Sequence, residues 1–127
     1  MARTRDQAPS ARATVKQTAA RADYEAETVY AIIDQALVGT VSIAMDGQPF
    51  ALPMMVARID DQIYLHGSRT SRIIKHLTAG HEVCVAFTII DGIVVARSGM
   101  NCSANYRSVV VHGKGTAVEG AEKAELL

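Results

Sequence analysis

The sequence contains no tryptophan, only two phenylalanines and two cysteines, and no surplus of charge, because its 13 basic residues match its 13 acidic ones. Each scarcity excludes a class of function. With 5% aromatics, the chain lacks the interleaved basic and aromatic residues on which single-stranded nucleic acids stack. A zero net charge gives no whole-chain field toward nucleic acid or anionic lipid, so any basic site must be local. Cys84 and Cys102 form neither a spaced metal-ligand set nor the framework of a disulfide-rich secreted domain, which makes a reducing, cytoplasmic setting the simpler expectation. No histidines are paired at helical spacing and no Cys-His cluster occurs, so no metal site is expected. Long apolar runs are missing too: stretches such as Val83 to Ile90 fall far short of the ~20 residues that a membrane-spanning helix needs. No glycine-rich dinucleotide fingerprint follows a strand, which counts against a Rossmann cofactor site.

What is present is the material of one core, with 49% apolar and 20% charged residues in 127. Arg3, Arg5, Arg12, Lys16 and Arg21 lie among Ala, Thr and Ser, which predicts a flexible basic arm over residues 1–22 and a single domain over 23–127. An Arg- and Ser-rich start also resembles an organellar transit peptide, but Asp6 interrupts it and no apolar face is sustained.

The domain opens with helical spacing from about Tyr24 to Ala36, where Val29, Ile32, Ile33 and Ala36 share a face and Asp23 is placed to cap the N-terminus. From Leu37 the pattern turns to strands. Leu37 to Ala44 and Phe50 to Ile59 flank Asp46-Gly47, a hairpin signal, and Asp60-Asp61 marks a second turn before Gln62 to His66. Pro53 inside the second strand predicts an edge, or a backbone left free for something other than a ladder partner. Ile73, Ile74 and Leu77 give a short helix ending near Gly80. Val83 to Ile90, a turn at Asp91-Gly92 and Ile93 to Arg97 suggest another hairpin, with a last strand over Val109 to Val118. About six strands with two helices favour a closed or nearly closed antiparallel barrel over a βαβ sheet. A helical pattern begins again at Glu119 and stops at Leu127, so the C-terminal part is expected to be incomplete.

The stretch from His66 through Gly67, Ser68, Arg69, Thr70 and Ser71 to Arg72 gathers hydroxyls, two guanidinium groups and a helix start in one loop. Free amides and bidentate arginines there suit a phosphate. The same residues also fit a plainer arrangement, in which Ser68 or Thr70 caps the helix and Arg69 and Arg72 are solvated. A second polar stretch, Asn101 to Ser108, lies between apolar strands. Its Tyr106, Arg107 and Ser108 could stack on or hydrogen-bond a ligand, or belong to an ordinary turn. His66 and His112, near strand ends, suit structural hydrogen bonding, and Cys84 suits a core thiol.

Several word-like stretches then add up. They are Asp46-Gly47-Gln48-Pro49, Leu65-His66-Gly67-Ser68, Asp91-Gly92 followed by Ala96-Arg97-Ser98, and Asn105-Tyr106-Arg107-Ser108-Val109-Val110. In this order they resemble the pyridoxamine 5'-phosphate oxidase-related, FMN-binding split-barrel family, from Tyr24 through about Lys114, and in particular its bacterial flavin-nucleotide-binding branch. The resemblance implies a mainly β split barrel with flanking helices, and a homodimer with two equivalent FMN sites at its interface. It also implies that Pro53, Met54, Met55 and Val56 lie along the isoalloxazine. His66, Ser68, Arg69, Ser71 and Arg72 would line the ribityl-phosphate end, and Tyr106, Arg107 and Ser108 would approach from the following strand.

Members of this class act on diverse small molecules, and some use a deazaflavin or bind haem in place of FMN. The resemblance therefore implies a flavin-dependent oxidoreductase with no obligatory catalytic side chain. Its alternatives are a non-catalytic flavin, deazaflavin or haem carrier or sensor, and a dimeric scaffold with a decayed site. One departure stands out: relatives of this branch often carry a histidine pair where this chain has Asn101 and Cys102.

Overall fold

The period-2 burial of β1 (Val38–Met45), in which Gly39, Val41 and Ile43 are buried and their neighbours less so, sets the plan of the molecule. In the computed structural model, which describes residues 3–120, β1 is preceded by α1 (Ala26–Ala36). It is followed by β2 (Gln48–Ile59), β3 (Gln62–Leu65), α2 (Arg72–Thr78), β4 (Glu82–Val94) and β5 (Ser103–Lys114). The strands form one antiparallel sheet in the order β3-β2-β1-β4-β5. Among the described residues β3 and β5 do not pair, so the barrel expected from the sequence is an open sheet of five strands. The C-terminal helical pattern lies largely outside the described residues. Among those described, no helix is long and apolar enough to cross a membrane.

Both helices pack on one face of the sheet. Ile32 and Ile33 of α1 and Ile73 and Leu77 of α2 meet Val41, Ile43, Val85, Phe87 and Val109, and Val41 and Phe87 are wholly buried. Gly39 makes room over β1 for two β4 side chains: a Cβ there would lie 2.6 Å from Val85 Cγ1 and 2.9 Å from the Phe87 ring. The opposite face is not covered by the other described residues and exposes Val38, Met55, Ile90, Tyr106 and Val110.

The turns follow local chemistry where the chain is free to obey it. Asp46 and Gly47 both have positive φ, at 51° and 75°, the left-handed pair that joins two strands in a tight hairpin. Asp60, at φ 53°, turns β2 into β3. The α1 N-cap is Glu25 and not Asp23. The Asp23 carboxylate instead accepts from the Glu25 amide (2.9 Å) and the Thr28 hydroxyl (3.2 Å), bracing the entry one turn early.

Asp91-Gly92 is the main correction. It is no hairpin turn: β4 runs through it to Val94, with an irregularity between Ile90 and Gly92, and pairs with β5 beyond it. The separate strand expected over Ile93 to Arg97 is therefore absent, and the polar stretch expected to be a loop supplies the first residues of β5. The cause is long-range. Arg107 grips the Asp91 carboxylate with two bonds of 2.9 Å and donates a third, of 3.0 Å, to Gln35 Oε1 on α1. A second clamp joins β2 to α1, where Arg58 donates to Asp34 at 2.8 and 2.6 Å and lies 4.3 Å from the centre of the Tyr30 ring.

Two outcomes follow for stability. Gly39→Ala forces Val85 and Phe87 apart and is expected to cost about 1–3 kcal/mol in urea denaturation; an unchanged midpoint would contradict this packing. The clamps predict a pH effect, because hydrogen bonds from Arg58 and Arg107 hold the Asp34 and Asp91 carboxyls below the usual carboxylate range. A depressed carboxyl contributes stability above its unfolded value, about 3.9, and loses it as pH falls through the lower folded value. The urea midpoint should therefore drop on acidification below about pH 4, and drop less steeply when both Arg58 and Arg107 are replaced by alanine. Identical slopes would rule the clamps out as the source.

Candidate functional site

Residues 53–56 sit where the sheet changes width. Over residues 48–55 β2 pairs with β1 alone, and β3 joins only from Val56, so Pro53 lies on an open edge as its lack of an N–H requires. Strand alternation divides the four residues. Met54 and Val56 face the core and pack against it, whereas Pro53 and Met55 face the uncovered side. The Val56 amide donates to the Leu37 carbonyl (2.8 Å), and Leu37 itself turns the chain from α1 into β1 with φ 63°.

The hydroxyl-arginine loop abuts this edge. A Cβ on Gly67 would come 2.9 Å from Ile74 Cγ1 and 3.5 Å from the Met54 methyl, so the loop lies directly on Met54 and on α2. The Ser68 and Thr70 hydroxyls are 2.8 Å apart, the Thr70 amide donates to Ser68 Oγ (3.2 Å), and the Ser71 amide donates to the Ser68 carbonyl (3.0 Å). Neither Ser68 nor Thr70 caps α2. Its N-cap is Ser71, whose side chain makes no capping bond. With only seven residues, α2 has a weak macrodipole, so an anion here would be held chiefly by hydroxyls, amides and arginine. Arg72 is 4.2 Å from the centre of the Phe50 ring, while His66 and Arg69 are exposed. The chain thus brings residues 53–56 together with His66, Ser68, Arg69, Ser71 and Arg72.

It does not bring the β5 group to the same place. Tyr106 and Ser108 face the uncovered side opposite Ile90 and Thr88, and β5 lies three strand spacings from β2, about 14 Å. Arg107 points to the helix side and is occupied by Asp91 and Gln35. Sequence reasoning missed both of these partners, as it missed Phe50 beneath Arg72 and the Leu37 carbonyl. Only Asp91 gave a local signal, and that signal indicated a turn. Asn101 ends a short 3-10 turn, and Cys102 closes the same loop, its sulfur accepting from the Ala96 amide at 3.4 Å. Among the described residues no three His, Cys, Asp or Glu side chains are spaced to hold a metal ion.

Comparison with known proteins places this geometry. No curated protein sequence matches the chain. Among solved structures, the flavocytochrome Anf3 from Azotobacter vinelandii is similar, with a TM-score of 0.87 and 38% identity over 94% of this chain. The FAD and heme binding protein from Mycobacterium smegmatis is similar with a TM-score of 0.68 and 34% identity over 71% of this chain. The chain spans 56% and 44% of the lengths of these two proteins. The split-barrel architecture expected from the sequence stands, as an open five-stranded sheet. A family model described as pyridoxamine 5'-phosphate oxidase matches residues 25–127, and the chain belongs to that family.

Proposed function

We propose that this chain binds FMN and serves as a flavin-dependent oxidoreductase domain acting on a small molecule. The observation that carries the proposal is the meeting of an uncapped hydroxyl-arginine loop, residues 66–72, with the open edge of β2 at residues 53–56. The loop suits the phosphate: Arg69 is exposed and can add bidentate bonds, the Ser71 hydroxyl makes no capping bond among the described residues, and Gly67 keeps the backbone against Met54. The open edge suits the ring system, since the side of β2 away from β1 has no strand partner at residues 53–55. Bound flavin would supply hydride chemistry, and the protein would supply the anchor, the orientation and the hydrogen bonds that tune the ring.

The site is completed by a second copy in this reading. Tyr106 and Ser108 are too far from residues 53–56 to share one ring within a chain, but they lie on the same uncovered face as Val38, Met55, Ile90 and Val110. A homodimer packed through this apolar face would cover it and bring one chain's β5 toward the other chain's loop. A second reading, haem binding with or without flavin, draws on the names of the two similar proteins, a flavocytochrome and an FAD and haem binding protein.

Titration of the purified protein with FMN, FAD, a deazaflavin and haem, followed by absorption and flavin fluorescence, tests this. FMN should saturate, and Arg69→Ala should weaken it about ten- to a hundredfold, the loss of one charge-assisted hydrogen-bonding group. Saturation by haem alone would favour the second reading. No response to any of the four would overturn both.

A further inference from the structure

At the C-terminal end of α2, away from the loop just described, three of the chain's four histidines line one open cavity of about 510 Å³. His76 comes from α2, His81 from the turn that follows it, and His112 from β5, with Ser42, Cys84 and Glu82 beside them and Arg12 reaching in from the N-terminal arm. Pairing of β1 with β4 ends at Ser42 and Cys84, and the cavity opens there; Cys84 also pairs with His112, so Ser42, Cys84 and His112 form a row on the sheet face away from α2. The wall is held by hydrogen bonding. His76 Nε2 lies 3.0 Å from the Glu82 carbonyl, which can only accept, so Nε2 carries the hydrogen and Nδ1 is left for another partner. The His76 and His81 rings are 4.8 Å apart at 39°, too tilted for a plain stack.

The cavity is rich in donors. Three imidazoles, a hydroxyl and a guanidinium line it against one carboxylate, Glu82, and the described residues offer no metal-holding group of three. Arg12 meets Glu82 through a single contact of 3.5 Å with both side chains more than half exposed, which leaves most of its five N–H donors unused. We propose that this cavity binds a compact, multiply charged oxyanion, which bridges Arg12 of the arm to His76, His81 and His112 and fastens the arm to the sheet. The site shares no residue with the flavin reading and does not rest on it, although His112 lies on the same sheet face as Tyr106 and Ser108, further along β5.

The fourth histidine, His66, lies in the hydroxyl-arginine loop and reports on that site independently. The imidazole C2–H resonances of the protein are followed by proton NMR during titration with inorganic phosphate and, separately, citrate. The proposal predicts saturable shifts of the His76, His81 and His112 signals with one common midpoint, distinct from that of any His66 shift, which reports phosphate at the loop. The other ionisable groups facing these imidazoles are Arg12, Glu82 and the Cys84 thiol, with Lys114 opposite Glu82 on β5. Arg12→Ala, an exposed change that spares the fold, should weaken binding at least tenfold and restore tryptic cleavage in the arm at saturating anion; His112→Gln should act likewise. Binding of either probe supports the site, and the tighter one assigns it to phosphate groups or to carboxylates. Unsaturable drift, a single midpoint shared by all four histidines, or an affinity indifferent to Arg12→Ala would overturn it.

Discussion

The packing of the Val85 and Phe87 side chains over Gly39 of β1 governs the rest of the structure. β1 is the strand paired with β2 on one edge and β4 on the other, and its Gly39 lies against Val85 and the Phe87 ring where no larger residue fits. With Val41 and Phe87 fully buried beside it, a one-residue slip in either ladder would turn the core side chains to solvent. The register is therefore fixed, and with it the positions of every residue that the sheet carries outward.

The candidate site inherits its geometry from that register. β3 is only four residues long, so it leaves the Pro53 end of β2 unpaired. Ile73 and Leu77 anchor α2 in the core, and this sets the hydroxyl-arginine loop beside Met54. The same anchoring carries the other end of α2 to the histidine-lined cavity. One short helix thus connects two polar regions, while the two arginine clamps fix α1 and the far ends of β4 and β5 without entering either region.

Much of this was legible in the sequence because it rests on local rules. Hydrophobic period gave both helices, Asp46-Gly47 gave the first hairpin, and Pro53 gave the open edge. What failed depended on partners remote in sequence. Asp91-Gly92 has the composition of a turn, but Arg107, 16 residues away, binds Asp91 and pairing with β5 continues past it. Once that hairpin was assumed, a sixth strand followed and the start of β5 was taken for a loop. The site was legible in the same uneven way. The loop and residues 53–56 are neighbours, whereas alternate side chains of a strand point to opposite faces, so Tyr106 and Ser108 lie on one face of the sheet and Arg107 on the other. The histidine cavity left no sequence trace because its members come from six separate segments: the arm, β1, α2, the turn after it, β4 and β5.

The central claim is that the loop at residues 66–72 holds a flavin phosphate beside the open edge of β2. A crystal structure of the protein grown with FMN tests it most directly. The account predicts phosphate density against Ser68, Arg69 and Ser71, with the ring system along residues 53–56. Flavin bound elsewhere on the chain, with that loop contacting only solvent, would contradict it.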